Sequence, residues 1–545
     1  MVRSKATSDG GEMSGHDLSE RERERVAPYV TDTTGPVFAL TNLPEVVKGA
    51  LFARYSRSPK SLRRLLLDEF LGGDEPQGGP ASGSAPVGEA RAEALYERVL
   101  AEYGDDSVAQ LGGAHVAVEG ASNLLTKVLQ WGRLASYLEQ STRYIPYTDR
   151  PGGQFRYHRP RAVMAHPEHG PDYAATLDGA FEAYAELLPR MVAHIGARVP
   201  PDPGVPAPAR DRAVRAAALD LLRGLLPAAT TANVGVFASG QAYEAMLIRM
   251  GAHPLPEARD CAAALLRELR KVIPAFLTRV DRPDRGVAHG AYMRAGEAAA
   301  AELASGLMLP SPDRADGPAV RLVEFDPDGE ARVLAQALWP ASGRGLGEVR
   351  DRVATLDAAR RDAALAAWAG LRGDRRQRPG RALEATVYAF EVVCDYGAYR
   401  DLQRHRMLSL QSQPLTPALG YSVPDEVAAA GGGDAYAAVQ EACTGLYDRL
   451  VTDMPIEASY AVSLAHRIRF TMTMNAREAM HLIELRSQPQ GHESYRWVAR
   501  EMHRLIRDTA GHRAIAAMMS FVDTSDPAVG RLAAERRLEE RRAGR

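Results

Sequence analysis

This 545-residue chain copies itself, faintly but in order. WGRLASYL at Trp131–Leu138 aligns with RHRMLSLQ at Arg404–Gln411, which matches Arg133 with Arg406 and Ser136 with Ser409. Farther on, SGQAYEAMLIRMGAHPLPEAR from Ser239 aligns with NAREAMHLIELRSQPQGHESY from Asn475, a register that superposes Glu257 on Glu493. Two blocks in the same order mark a duplication, so the fold has to be one that similar lengths of chain can build twice. The later pair reads as long amphipathic helices, and ATVYAFEVV at residues 385–393 reads as a strand.

Breaks in composition give the boundaries. Residues 1–25 are polar and densely charged and read as a flexible tail. The Gly-, Pro- and Ser-rich stretch 72–90 reads as a surface loop, as does the Pro-rich 199–210. A linker over 309–317 separates a first domain, 26–308, from a second, 318–528, and a basic tail follows at 529–545. The second domain opens on RLVEFDPDGEARVLA, two short apolar runs about a turn, which suggest a hairpin.

Bulk properties narrow the function. Hydrophobic residues make up 45% and charged residues 25%, as in ordinary globular proteins, and a net charge of −2 argues against nucleic-acid binding driven by overall charge. Cys261, Cys394 and Cys443 lie far apart without metal-type spacing and read as buried thiols of a reducing compartment. His158, His166 and His169 have no carboxylate at ligand spacing, so no metal is expected. Neither a leader nor a membrane span is evident, and a cytoplasmic location is expected.

The cation run Arg404-His405-Arg406 needs a counter-charge, and the first segment suggests what kind. Arg404, His405, Arg406 and Ser409 in the second segment, with Arg133, Ser136, Glu139, Ser141, Arg143 and Tyr144 in the first, together resemble the signature of the flavin-dependent thymidylate synthases: Arg-His-Arg, a Ser, then Glu-x-Ser-x-Arg-Tyr. The second segment departs from it at Ser412, Pro414 and Thr416; the first departs at Trp131 and Gly132. NAREAMHLIELR resembles the family's long helix, whose matching residues have become Ser239, Gln241 and Met250 in the first segment.

The resemblance implies an α+β fold: two tandem domains of the thymidylate-synthase-complementing type, each a small mixed or antiparallel sheet packed with long helices. It implies a chain that acts as a pseudo-dimer, with a homodimer rebuilding a tetramer-like core, and composite sites in which each half keeps what the other has lost. For the substrate, dUMP or a related pyrimidine nucleotide, it implies Glu139, Ser141, Arg143, Arg223 and Arg486. For the cofactor, FAD, it implies Arg404, His405, Arg406, Glu384, Asn475 and Arg477. Arg406, His405 and Arg486 are the residues expected to serve catalysis. The reaction implied is reductive methylation of dUMP to dTMP, with methylenetetrahydrofolate as carbon donor and NADPH as reductant. Two other readings stay open: a related flavoprotein acting on another pyrimidine nucleotide, and a non-catalytic nucleotide-binding pseudoenzyme. Ser141 and Arg143, two apart, are expected to share one strand face. Arg offers a donor fork that matches phosphate oxygens, and the run at 404–406 is expected to present three cations.

Overall fold

The computed structural model describes residues 18–56, 58–71, 110–199, 201, 205–308, 317–525 and 536. The expected loop at 72–90, most of the expected tails and residues 309–316 of the linker lie outside the described residues. Residues 20–25, expected in the N-terminal tail, instead belong to the helix Glu20–Val26, closed by a capping box between Ser19 and Glu22.

The repeat is realised element by element. In the first segment, β1 (Gly113–Ser122) leads into the helix Asn123–Leu129, then β2 (Ala135–Glu139), and later β3 (Thr231–Ser239) leads into the helix Gly240–Ala252. The hairpin suggested at the start of the second domain does not form. Its first run is β4 (Ala319–Phe325), but its second belongs to the helix Gly329–Ser342, because EARVLAQALW is rich in strong helix formers and carries a helical stripe. Next, β5 (Val387–Asp395) leads into the helix Tyr396–Leu402, then β6 (Ser409–Ser412), and β7 (Arg467–Asn475) leads into the helix Ala476–Arg486.

The strands form two small antiparallel sheets, ordered β1-β3-β2 and β4-β5-β7-β6. In the second, Val387 pairs with Asn475 and Asp395 with Arg467 across β5 and β7. β3 and β7 occupy matching places in the repeat and show the same alternation, burying Ala232, Val234, Val236 and Ala238 in one and Ile468, Phe470, Met472 and Met474 in the other. One face of each strand is apolar because side chains alternate with period two.

The chain divides into two compact units: residues 1–118, 134–138 and 234–309 in the first, and residues 119–133, 139–233 and 310–545 in the second. In the first, Arg63 is buried, donating to the carbonyls of Asp32 and Gly35 beneath the Phe38 ring. Its helix Ala288–Leu307 has only Gly290 buried.

The second unit holds a core around Tyr388, Phe390, Val392, Phe470, Met472, Met480 and Ile483, each at most 1% exposed. Full burial of such a side chain is worth roughly 1.5–3 kcal/mol. Within this unit the two repeats meet along mirrored backbone hydrogen bonds. Ala228 N–H donates to Val462 C=O while Leu464 N–H donates to Leu226 C=O. Ala229 donates to Tyr460 and Ala465 to Gly224 in the same way. In the register that superposes Ser239 on Asn475, each bond is the other's counterpart. A local two-fold axis therefore runs between Pro227 and Ser463, which form an antiparallel bridge.

The long helices flank this axis. The Ala207–Leu222 helix starts inside the segment expected as a loop over 199–210. Pro206 caps it and Pro208 sits in its first turn, where a missing N–H breaks no bond.

Candidate functional site

The site residues expected from both segments fall in the second unit, and most of them join one chain of charge contacts. It begins at Glu139, the last residue of β2, whose side chain is 1% exposed. Lys127 Nζ lies 3.0 Å from its Oε2, Gln130 Nε2 donates to the same oxygen at 3.0 Å, and Arg400 Nη2 reaches Oε1 at 2.6 Å. Arg404 approaches at 3.5 Å. Burial disfavours the ionised carboxyl, but Lys127, Arg400 and Arg404 outweigh it and hold Glu139 well below the usual range. Burial also pushes Lys127 down to about 8, against the pull of Glu139. Glu139 thus ties the first repeat to the Tyr396–Leu402 helix of the second.

The next link is Asp401, which accepts from Arg223 Nη1 at 3.1 Å and lies 3.9 Å from Arg404 Nε. Burial opposes its charge, yet Arg223, Arg404, Arg486 and Arg143 keep it strongly acidic. Arg223 is 3% exposed. Its Nη1 is also 3.6 Å from Asp220, and its Nη2 is 4.0 Å from Asp395, the N-cap of the Tyr396–Leu402 helix. Asp220 in turn pairs with Arg143 Nη2 at 2.9 Å. Arg143 Nη1 donates to the Tyr495 hydroxyl at 3.0 Å, and Arg486 lies over the ring of Tyr495 at 5.5 Å. Arg486 Nε donates at 3.0 Å to His405 Nε2, and His405 Nδ1 meets Glu478 Oε1 at 3.0 Å.

Four guanidinium N–H groups in this chain of contacts make no hydrogen bond. Three are Arg143 Nε and Arg223 Nε and Nη2, and the fourth is Arg400 Nε. Buried N–H groups are nearly always paired, and the nearest carboxylate oxygens to Arg223, Asp220 Oδ1 at 3.6 Å and Asp395 Oδ1 at 4.0 Å, stand beyond hydrogen-bond length, which leaves these groups open to a further acceptor. Arg223 also lines a cavity of about 940 Å³ with Asp220, Asp395, His492, Ser494 and Trp497. The arrangement is suited to holding an anion with several acceptor oxygens.

Two expectations are corrected. His405 is not a cation: burial and the neighbouring Arg486 hold it well below its ordinary value, leaving a neutral imidazole that donates to Glu478 and accepts from Arg486. Ser141 and Arg143 do not share a strand face, because β2 ends at Glu139 and residues 142–144 form a turn; Ser141 Oγ accepts from the Arg143 N–H at 3.2 Å.

Asn475 and Arg477 stand at the start of the helix that follows β7, and Glu384 lies just before β5. Asn475 caps that helix, its Oδ1 accepting from Glu478 N–H at 2.9 Å. Arg477 pairs with Glu384 at 3.9 Å, and Glu384 also binds Arg381. The side chains of Arg404 and Arg477 are 40% and 36% exposed. An anionic ring system would find donors in them that the protein does not saturate. Arg406 is half-buried. His405, Glu478 and His481 approach closely enough to bracket an ion, yet both nitrogens of His405 are committed and Arg486 and Arg378 make the surroundings positive. Burial pushes the Cys394 thiol well above its ordinary value and Cys261 and Cys443 up to about 12, which removes thiolate character from all three.

Sequence reasoning missed Asp220, Asp401 and Tyr495. Asp220 had a readable signal, since an acid three residues before Arg223 on a helix faces it. The other two act across more than 170 residues, as in the Arg223–Asp401 bond, and left no local trace.

Two small antiparallel sheets packed with long helices define an α+β protein, and the second unit carries a buried cluster of arginines and carboxylates. The family model for "thymidylate synthase complementing protein" matches residues 63–275 and 323–510, and the chain belongs to that family. It is 38% identical to a UPF0159 protein of Chlamydia muridarum over 96% of this chain and 98% of that one. It is 31% identical to a UPF0159 protein of Thermoplasma acidophilum, over 91% and 99%. A flavin-dependent thymidylate synthase of a Mycobacterium species is 30% identical over 36% of this chain and 72% of its own. A crystal structure of a UMP/dUMP methylase from Streptomyces cacaoi covers 38% of this chain and 97% of its own, with 18% identity and a TM-score of 0.29, too low to carry a structural argument. Among the described residues no helix is long and apolar enough to cross a membrane.

Proposed function

We propose that this protein is a flavin-dependent thymidylate synthase-like enzyme that methylates dUMP, with one composite nucleotide site per chain. The observation that carries this is the set of buried guanidinium N–H groups on Arg143 and Arg223 that make no hydrogen bond, Arg223 being in the cavity wall and Arg143 joined to it through Asp220. A phosphomonoester offers the oxygens they need, and charge-assisted bonds of this kind contribute about 1.5–3 kcal/mol each.

In this reading Arg143 and Arg223 bind the phosphate, and Arg486 completes the charge from the second repeat. Tyr495 holds Arg143 and Arg486 in place, and Glu139 fixes Arg400 and Arg404 rather than touching the nucleotide. Ser141 sets the turn that carries Arg143. Arg404, Arg406 and Arg477 would hold the flavin, FAD, with Asn475 at the start of the Arg477 helix and Glu384 paired with Arg477. Bound there, the flavin supplies the reducing equivalents that methylation with methylenetetrahydrofolate requires, and NADPH restores them. His405 works as a neutral link that orients Arg486 and carries no charge of its own.

The counterpart place across the local axis supports a single site. There Ser412, Pro414 and Thr416 stand for Glu139, Ser141 and Arg143, and Ser459 stands for Arg223, with its hydroxyl donating to Leu415 C=O at 2.9 Å. Neither of the two positions equivalent to Arg143 and Arg223 carries a cation. A homodimer is part of the proposal, because the Ala288–Leu307 helix leaves Tyr292, Leu303 and Leu307 at 78%, 60% and 71% exposure. A helix so little covered is weakly held by itself.

An absorbance spectrum with flavin quantified after heat release tests the cofactor, followed by titration with dUMP. The expected result is one nucleotide bound per chain, with a flavin band that shifts on binding, and rescue of a thymidine-requiring strain that Arg143→Ala abolishes. A colourless protein that takes up no FAD and binds no dUMP overturns the proposal.

A further inference from the structure

Asp220 lies in the last turn of the Ala207–Leu222 helix, is 5% exposed, and reaches Arg143 Nη2 at 2.9 Å and Arg223 Nη1 at 3.6 Å. A site built only to attract anions would gain nothing from a carboxylate placed between two of its arginines. The second repeat shows that this acid goes with the site and not with the helix. In the aligned registers Thr416 stands for Arg143, Ser459 for Arg223 and Ile456 for Asp220. Arginines and acid are absent together.

The cavity makes the point sharper. At about 940 Å³ it lies at the upper end of ligand-pocket sizes, so size alone does not stop a longer phosphate chain from entering. Its wall, however, carries carboxylates on Asp220, Asp395, Asp425, Glu426 and Glu493 against arginines at 198, 223 and 500. Additional phosphate groups would meet like charge, and the space suits the neutral parts of a nucleotide.

We propose that Asp220 is a specificity-determining residue that sets the charge of the ligand: it leaves the arginine cluster enough positive charge for a phosphomonoester and too little for a di- or triphosphate. This rests on the nucleotide reading above and adds the residue responsible for choosing among nucleotides. Exclusion operates by charge and not by fit.

The test is equilibrium titration of the full chain with dUMP and with dUTP, for wild type, Asp220→Asn and Asp220→Glu, with thermal melting to check folding. Wild type prefers dUMP. Asp220→Asn narrows that preference by about tenfold or more, chiefly by tightening dUTP, as expected for removing one charge a few ångströms from the ligand. Asp220→Glu keeps the preference. If Asp220→Asn does not fold, the same comparison between Arg143→Gln and Arg143→Gln/Asp220→Asn serves, because the double change removes a charge pair and leaves no lone buried charge. An unchanged preference in the folded variant, or a wild type that binds dUTP as tightly as dUMP, overturns the inference while the nucleotide reading stands. A wild type that binds neither overturns that reading and the inference with it.

Discussion

His405 shows how burial changes the meaning of a residue. In sequence it sits between two arginines and reads as a third cation; in the fold it is the neutral partner that lets Arg486 and Glu478 meet across it. Several histidines share this state: burial holds His466 and His481 down to about 4, and His492 is also lowered, by burial and then Arg223. The pH dependence follows from the direction of these shifts. An unfolded histidine takes up a proton near 6.5, while the folded groups stay neutral until about 4, so the unfolded chain binds more protons between those values. Stability is therefore present above pH 6.5 and lost as pH falls toward 4. Glu139 and Asp401, both held below their ordinary values, add stability that is lost only at lower pH. The thermal midpoint should fall steadily between pH 6.5 and 4.5, and a flat profile there would contradict neutral histidines. Glu139→Gln should destabilise the protein by about 3–5 kcal/mol in denaturant titration, because Lys127 and Arg400 are left buried without their counter-charge. The nature of these residues was legible in sequence. Their partners were not, since Glu139 and Arg400 meet only after both repeats have packed.

At the scale of elements, strands and helices whose periodicity was strong formed where expected, as β5 and the helix after Asn475 show. Elements set by the first turn of a helix were read less well, as at residues 207–210 and 329–342. Asn475 carries two roles that can be separated. Asn475→Ala should lose about 1 kcal/mol of stability, the usual value of an N-cap, and Asn475→Ser should retain most of it. Flavin occupancy is expected to fall in both; occupancy that tracks stability alone would make Asn475 a cap and nothing more. Close approach matters at one glycine. A Cβ on Gly224 would collide with the Tyr436 hydroxyl, at the place where the repeats exchange backbone bonds. Gly224→Ala should therefore lower the melting temperature, by an overpacking penalty of about 1–3 kcal/mol, and Tyr436→Phe should relieve much of it.

For the whole molecule, the repeat was visible in sequence, but a repeat tells which pieces are related and not which surfaces they bury. Residues 139–233 precede the linker, yet they pack in one unit with residues 310–545. Expression of residues 318–545 alone should give an insoluble or unfolded product, because the strand-like pairing of 460–465 with 224–229 would have no partner. Co-expression with residues 1–308 should restore solubility and nucleotide binding, and a folded, nucleotide-binding 318–545 fragment would refute this.

The mirrored pairing about Pro227 and Ser463 has a kinetic side. Two separate subunits meeting at such an axis come apart as they are diluted, and a site shared between them vanishes with the complex. Here a peptide chain joins the partners, so each sees the other at an effective concentration on the order of millimolar whatever the bulk concentration. The proposed nucleotide site should thus persist at protein levels far below those that hold free subunits together, and the tether frees the two copies to diverge without losing each other.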